Sequence, residues 1–520
     1  MKKSLALKNI FFSLLLQLVN IISYFIIPKI ILTSFGSETN GLVSSLNQFL
    51  NYIGLFEGGL SSVILANLYK PLKNLHSKNP KIAQKSEEKL SAVISASNKI
   101  YRFLSLIFTI YTLALAIIYP LVVPSSFDFA FVSSLTLILS LTLFAQYCFA
   151  ITPRLLLQAD KKVYYVSVIQ IVCTILSTVS TIFIVKIFPN IHILKLLAAF
   201  AYFLQPILFN HYLKTHYPFL TKTEPDKKVM SQRWDGFGIN IAAFIHNNTD
   251  IVILTLFTDL INVSIYSVYF IVTNGLRRIY QAIDNALQPS LGHAYASVEK
   301  FEKIKDSIPE KIEKNKTFKV LITTFEKYEF YFSLFIYFVF TLGALLITPF
   351  VSAYTNDISD ANYFQPIFGY LLILGEFAYA LRTPYCSLTY VANKFKDISK
   401  YAYIESILNI VLSVILVFNF GLIGVALGTL ISMLYRSLAH IFYLKSHILN
   451  YSLKPRLKLH GLLSLASGIS IFLSLHFFNF DISSYSAWIF LALKSFALTS
   501  LIFLLIIFIF FRQSLPKKSR

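Results

Sequence analysis

The sequence predicts an all-α polytopic membrane protein with about fourteen transmembrane helices, and two observations support this fold class. Of the 520 residues, 56% are hydrophobic and only 14% are charged, whereas a soluble globular protein has about 25% charged residues. The apolar residues also fall into runs of about 20, the length that a helix needs to cross a bilayer. Soluble enzymes and disordered scaffolds are therefore excluded.

Fourteen apolar runs are long enough to span the membrane. We expect the first to be retained rather than cleaved as a signal peptide, because Gln17 and Asn20 interrupt it and no small-residue cleavage site follows. The runs cover residues 10–32, 41–69, 101–123, 129–151, 163–187, 191–213, 237–258, 262–290, 329–351, 363–387, 400–420, 422–445, 460–479 and 487–511.

The distribution of basic residues predicts that both termini are cytoplasmic. The formal net charge is +21, and 40 of the 46 Lys and Arg residues fall in one set of alternate segments. Lys and Arg in short loops resist translocation, so this set marks the cytoplasmic side. The positive charge is thus mainly a topology signal, and nucleic acid is not an expected partner.

The lengths of the predicted loops restrict the chemistry. None reaches 45 residues, which leaves no room for a nucleotide-binding domain. No phosphate-binding loop of the form G-x-x-x-x-G-K-[ST] occurs, and neither paired carboxylates nor clustered histidines indicate catalysis. The sequence therefore predicts a transporter that has no ATPase and no enzymatic activity of its own.

A weak internal repeat predicts two lobes. Phe35, Asn40 and Ser44 recur as Phe257, Asn262 and Ser264, with 222 residues between the two asparagines. We expect an N-terminal lobe at 1–220 (spans 1–6), a C-terminal lobe at 230–450 (spans 7–12), and spans 13–14 with a basic cytoplasmic tail at 455–520. Such parallel repeats usually enclose a central cavity.

Polar side chains on two predicted spans are candidates for substrate binding. In the eighth span the spacing of three or four residues places Asn274, Arg277, Arg278, Gln281 and Asp284 on one helical face. Such a face avoids lipid. The second span carries a milder version, namely Asn40, Ser44, Asn47, Gln48 and Asn51, with Glu57 at its edge.

These two faces have two interpretations. They form opposite walls of one aqueous cavity, or their groups satisfy one another in a packed bundle. Adjacent arginines at mid-span favour the cavity, because both require anions and Asp284 is expected to offset the charge of only one of them. Arg382 either enters this cavity or anchors the cytoplasmic end of its helix.

Intramembrane carboxylates are candidates for cation coupling. Asp250 follows Asn248 and Thr249 in the seventh span, and Glu405 lies four residues before Asn409 in the eleventh. Stacked carboxylate and amide oxygens suit a sodium ion or a proton. Alternatively, Asp250 and Glu405 neutralise neighbouring basic residues.

Two stretches resemble bacterial polysaccharide-repeat-unit flippases of the multidrug/oligosaccharidyl-lipid/polysaccharide exporter superfamily. The resemblance spans nearly the whole chain and is strongest at residues 33–72 and 382–445. The stretches are FGSETNGLVSSLNQFLNYIGLFEGGLSSVILANLYKPL and RTPYCSLTYVANKFKDISKYAYIESILNIVLSVILVFNFGLIGVALGTLISMLYR.

The resemblance implies a two-lobed flippase of the bacterial plasma membrane. Its substrate would be an undecaprenyl-pyrophosphate-linked oligosaccharide for capsule, O-antigen or other surface polysaccharide, moved outward by alternating access. Lipids and polysaccharide polymerase or assembly proteins would be its partners. Arg277 and Arg278 match the cationic cavity residues of the superfamily, and spans 13–14 match a pair that forms a groove for a lipid tail. The nearest counterparts of a sodium site are Asp250, Glu405, Asn409 and Thr429, with Glu57 a further cation-coupling candidate.

Two other functions are weighed against the flippase. A multidrug cation antiporter of the same superfamily would use intramembrane carboxylates without paired cavity arginines. A polytopic polysaccharide polymerase or ligase typically carries a large outer loop with catalytic groups, and every predicted outer loop here is short.

The predicted orientation is tested by cysteine-accessibility labelling in intact cells. A membrane-impermeant thiol reagent should label Ser125→Cys and Asn356→Cys, and it should leave Lys81→Cys and the loop around Lys303–Lys316 unlabelled until the cells are permeabilised. Labelling of Lys81→Cys from outside would overturn the topology.

Overall fold

The computed structural model describes residues 2–57, 59–75, 77–232, 237–303, 310–449 and 452–511. These residues are helical almost throughout and contain no strand. Nine helical stretches within these ranges are long and apolar enough to cross a membrane, which confirms an all-α polytopic protein. The number of fourteen spans and the cytoplasmic termini stay predictions. The basic tail from residue 512 and the loop at 304–309 lie outside the described residues.

The chain forms two compact units, Met1–Ser264 and Ile265–Arg520. The first unit contains α10, which packs on α1, and so this unit extends beyond the 1–220 segment inferred from the repeat. The predicted lobes stay a prediction. The helices of the first unit are α1 (Lys2–Leu50), α2 (Ile53–Glu57), α3 (Leu60–Asn74), α4 (Pro80–Val122), α5 (Phe129–Ala145), α6 (Ile151–Ala159), α7 (Val163–Ile187), α8 (Ile191–His216), α9 (Lys227–Gln232) and α10 (Phe237–Phe257).

The second unit begins within α11 (Leu260–Lys303), a long helix that carries the predicted polar stripe. The C-terminal helices α16 and α17 both pack against α12, which attaches them to this unit. Its remaining helices are α12 (Glu310–Tyr354), α13 (Pro366–Leu381), α14 (Thr383–Val391), α15 (Phe395–Leu444), α16 (Lys454–Phe477) and α17 (Tyr485–Phe511).

Two glycines divide the longest helices. Gly36 in α1 has a φ of 84°, and Gly421 in α15 has a φ of 52°. Side chains rarely tolerate this region of backbone conformation, whereas glycine adopts it readily. Each kink therefore interrupts its helix, close to the boundary predicted between two spans.

The polar face of the second predicted span is used for packing within the first unit. Asn40 donates a hydrogen bond to Ser264 Oγ at 2.8 Å, and Gln48 donates to Asn248 Oδ1 at 2.6 Å. Ser45 Oγ lies 2.7 Å from Thr255 Oγ1. For these residues the packed-bundle interpretation is the one that the structure shows.

The segment after α8 is held against the start of α4. The Asp226 amide donates to Ala92 O at 3.1 Å, and the Asp226 carboxylate pairs with Lys89. Burial tends to raise the pKa of this carboxyl, but the lysine and the amides of Lys228 and Val229 hold it below its ordinary value. The charge on Asp226 thus helps to fix this polar connection.

The close approach of α1 to the start of α11 gives a stability prediction. A Cβ at Gly41 would lie 1.7 Å from Leu260 O, whereas a Cβ at Gly461 would meet nothing within 4 Å. Gly41→Ala should therefore lower the thermal unfolding midpoint of the purified protein in detergent, because overpacking costs about 1–3 kcal/mol. Gly461→Ala is the matched control, and equal midpoints for the two variants would contradict the packing.

Candidate functional site

The first part of the candidate site is an ion pair between α11 and α13. Arg277 Nε donates to Glu376 Oε1 at 2.9 Å, and a terminal guanidinium nitrogen donates to Oε2. Tyr280 donates a further hydrogen bond of 2.5 Å to Glu376 Oε1. The arginine side chain is 15% exposed and the glutamate 5%. This two-point contact fixes the plane of the guanidinium group as well as its charge.

The expectation that Asp284 offsets Arg277 is wrong. The Asp284 carboxylate accepts hydrogen bonds from Tyr328 and from Ser387 Oγ, the latter at 2.6 Å. Helical spacing identifies neighbours only within one helix. Glu376 lies 99 residues from Arg277 in sequence and comes into contact through packing of separate helices.

A second cluster contains more positive than negative charge. Arg382 and Arg436 both contact Glu405 Oε2, the former at 3.4 Å. All three residues are buried, and neither arginine contacts another carboxylate within the described ranges. Two guanidinium groups therefore share one carboxylate. Arg382 is buried within this cluster, and both of its predicted roles stay predictions.

Tyr379 links the Arg277–Glu376 ion pair to the triad formed by Arg382, Arg436 and Glu405. The guanidinium carbon of Arg277 lies 5.4 Å from the centre of the tyrosine ring, and that of Arg382 lies 3.9 Å from it. Both distances are within the range of a cation–π contact. We call this connected set the arginine network: Arg277, Glu376, Tyr379, Arg382, Glu405 and Arg436.

A further buried ion pair attaches α16 to the same unit. Arg456 Nε lies 2.9 Å from Glu329 Oε2, and Tyr385 donates a hydrogen bond to Glu329. Arg436 and Arg456 are not singled out by the sequence, because both lie among basic residues attributed to topology. The sequence feature that indicates these ion pairs is the presence of carboxylates within apolar runs, such as Glu376.

The other predicted substrate residues occupy different environments. Arg278 and Asn274 are half-buried on α11, and Gln281 on the same helix is exposed. Asn51 is exposed in the first unit, just after α1. The structure thus brings Arg277 and Arg382 into one network, and roles for the remaining residues stay predictions.

The cation-coupling candidates are also distributed over the two units. Asn409 donates a hydrogen bond of 2.8 Å to Thr429 Oγ1, whereas Glu405 contacts the two arginines of the triad. That contact matches the alternative in which Glu405 neutralises basic neighbours. Asp250 is buried in α10, and a joint sodium or proton site with these residues stays a prediction.

Glu57, the remaining candidate for cation coupling, lies at the end of α2. Its carboxylate accepts hydrogen bonds from Ser61 and from the Tyr101 hydroxyl, the latter at 3.3 Å. These contacts hold the carboxylate in place within the first unit.

An apolar groove lies beside the arginine network in the second unit. One part has a volume of about 480 Å³ and lies between α12, α13 and α16. A second part of about 370 Å³ shares Tyr337, Leu374 and Phe377 with it and extends to Tyr385 and His460. This apolar groove is the kind of surface that accommodates a hydrocarbon chain.

Solved structures with the same architecture decide the fold. The lipid II flippase MurJ, in its inward closed conformation, has a TM-score of 0.67 at 16% identity, covering 98% of this chain and 100% of the flippase. The chain shares the fold of this flippase. An inward-facing multidrug resistance MATE transporter of the MOP superfamily has a TM-score of 0.54 at 14% identity, covering 81% and 93% of the two chains.

This fold appears here with a divergent sequence. No protein-family model and no curated protein matches the chain. The similarity at 16% identity concerns the fold alone, so the chemistry of the site depends on this chain's own residues.

The triad gives a stability prediction. Glu405→Gln leaves two buried guanidinium groups without their carboxylate, and breaking a buried ion pair costs about 3–5 kcal/mol. The thermal unfolding midpoint should fall far below that of Glu326→Gln. Glu326 is the control because it lies 3.9 Å from Arg456 with its side chain 52% exposed. Similar midpoints for the two variants would contradict a stabilising triad.

Proposed function

We propose that the protein is a flippase for a lipid-linked oligosaccharide. The substrate is an undecaprenyl-pyrophosphate-linked repeat unit, which moves from the inner to the outer leaflet of the bacterial plasma membrane by alternating access. The pathway is the assembly of capsule, O-antigen or another surface polysaccharide. A sodium or proton gradient is the proposed driving force.

The single observation that supports this proposal is an apolar groove next to a buried, positively charged network in one unit. A lipid-linked oligosaccharide has a long hydrocarbon tail joined to two phosphates. The groove at Tyr337 and Phe377 suits the tail, and the guanidinium groups of the network suit the pyrophosphate.

The energetics favour separate environments for the phosphates and for the hydrocarbon tail. Moving the two phosphates through hydrocarbon would cost tens of kcal/mol in an idealised medium. Guanidinium groups replace much of the lost hydration, and their planar donors match phosphate oxygens better than an ammonium group does. The tail requires no such compensation, because it stays in an apolar environment throughout.

The charge of the triad argues against a multidrug cation antiporter. A buried site with two guanidinium groups on one carboxylate repels an organic cation. The similar MATE transporter supports a shared fold but not a shared substrate. A polymerase or ligase is disfavoured because such enzymes typically carry a large outer loop, and every predicted outer loop here is short.

A groove-filling substitution tests the proposed path of the tail. Gly468 lines the groove, whereas Gly461 lies two turns earlier on α16 and does not; a Cβ at either meets nothing within 4 Å. In proteoliposomes, Gly468→Phe should slow the transfer of an undecaprenyl-linked oligosaccharide several-fold, because the ring occupies space that the tail needs.

Gly461→Phe is the matched control and should transfer the substrate at the wild-type rate. A substrate with a short isoprenoid tail should be affected less by Gly468→Phe. Equal transfer rates for the two variants would show that the tail does not occupy this groove.

Substitution of the adjacent Arg277 and Arg278 tests the pyrophosphate site. Arg278→Ala, and Arg277→Ala combined with Glu376→Gln to avoid an unpaired carboxylate, should abolish surface polysaccharide in a strain that lacks the wild-type protein. Lysine at either position should restore only part of the surface polysaccharide, because it keeps the charge but loses the planar donors. Full restoration by the alanine variants at equal protein levels would refute the assignment.

A further inference from the structure

A polar cavity of about 190 Å³ lies entirely within the first unit. It is bounded by the end of α2, the start of α3, the junction of α5 with α6, and α8. Its polar lining consists of Glu57, Ser61, Gln146, Tyr147, Arg154 and Gln205. At roughly 30 Å³ per molecule, the volume corresponds to about six waters.

A π-helical turn forms one wall of the cavity. Residues Gln146–Ala150 adopt this conformation between α5 and α6, and they bring Gln146, Tyr147 and Ala150 to the lining. Wide turns of this kind are rare and frequently occur at functional sites. Ile151 and Arg154 continue the same wall on α6.

Most of the polar lining has unused hydrogen-bonding capacity. Gln205 is only 4% exposed, yet its side-chain amide makes no hydrogen bond within the described ranges. The side chains of Gln146, Tyr147 and Arg154 likewise form none with those residues, and Arg154 Nε is fully buried. Buried polar groups are normally paired, so this lining requires a partner with several donors and acceptors.

The balance of charge indicates a neutral partner. One carboxylate and one guanidinium group line the cavity, and Ser61 and Tyr101 already hold the Glu57 carboxylate. Two amides, a phenol and a guanidinium group remain to donate and accept hydrogen bonds. This set matches ring hydroxyls, and the volume suits a single sugar ring.

We propose that this cavity binds one sugar residue of the transported oligosaccharide. The inference rests on the proposed function for the identity of the substrate, but it concerns a site in the other unit. Glu57 and Ser61 are only half-buried, whereas Gln205 is buried.

The first test measures sugar binding without transport. The purified full-length protein in detergent is mixed with glucose, galactose or N-acetylglucosamine, and saturation-transfer NMR reports binding. Wild type should bind at least one of these sugars. Gln205→Leu and Gln146→Leu, which keep similar volume, should weaken binding about tenfold by removing hydrogen bonds.

Gln158→Leu is the matched control, because Gln158 lies on α6 but does not line the cavity. Its affinity should equal that of wild type. No binding by wild type, or equal affinities for Gln205→Leu, Gln146→Leu and Gln158→Leu, would overturn the site.

The second test separates this inference from the proposed function. In proteoliposomes, Gln205→Leu should slow transfer of the sugar-bearing lipid and leave transfer of undecaprenyl pyrophosphate without sugar unchanged. Equal slowing of both lipids would overturn the sugar site. If wild type transfers neither lipid but still binds free sugar with the expected variant pattern, the proposed function fails while the sugar site stands.

Discussion

The neutralisation of buried guanidinium groups is the constraint on which the second unit depends. Arginine cannot shed its proton inside a protein, so each buried guanidinium group requires a carboxylate or an aromatic face. Glu376 meets this need for Arg277, and Glu405 is shared by Arg382 and Arg436. These contacts tie α11, α13 and α15 together. Because one carboxylate faces two guanidinium groups, the cluster keeps a net positive charge.

The fold places this charge beside an apolar surface. The groove along α12, α13 and α16 reaches Tyr385, which also bonds to the carboxylate of Glu329. The apolar groove and the arginine network thus belong to the same unit, and the residues that line the groove are not those of the network. The polar cavity of the first unit adds a different chemistry, which suits uncharged hydroxyl groups.

The sequence was sufficient for the fold class but only partly for the site. Apolar runs and alternating basic loops predict a polytopic helical protein, because the bilayer imposes length and charge rules that are local in sequence. The polar stripe of α11 is local as well and identified Arg277. Its partner Glu376 depends on tertiary packing. The hydrogen bonds of Asn40 and Gln48 likewise replace a predicted water-lined wall with a packed interface.

The central claim is that buried guanidinium groups recognise a lipid-linked pyrophosphate. The most direct measurement compares transfer rates in proteoliposomes for three substrates with the same undecaprenyl tail and the same sugars. The sugars are attached through a pyrophosphate, a monophosphate or an uncharged ether. The account predicts the fastest transfer for the pyrophosphate, slower transfer for the monophosphate and almost none for the ether. Equal rates for all three would contradict it.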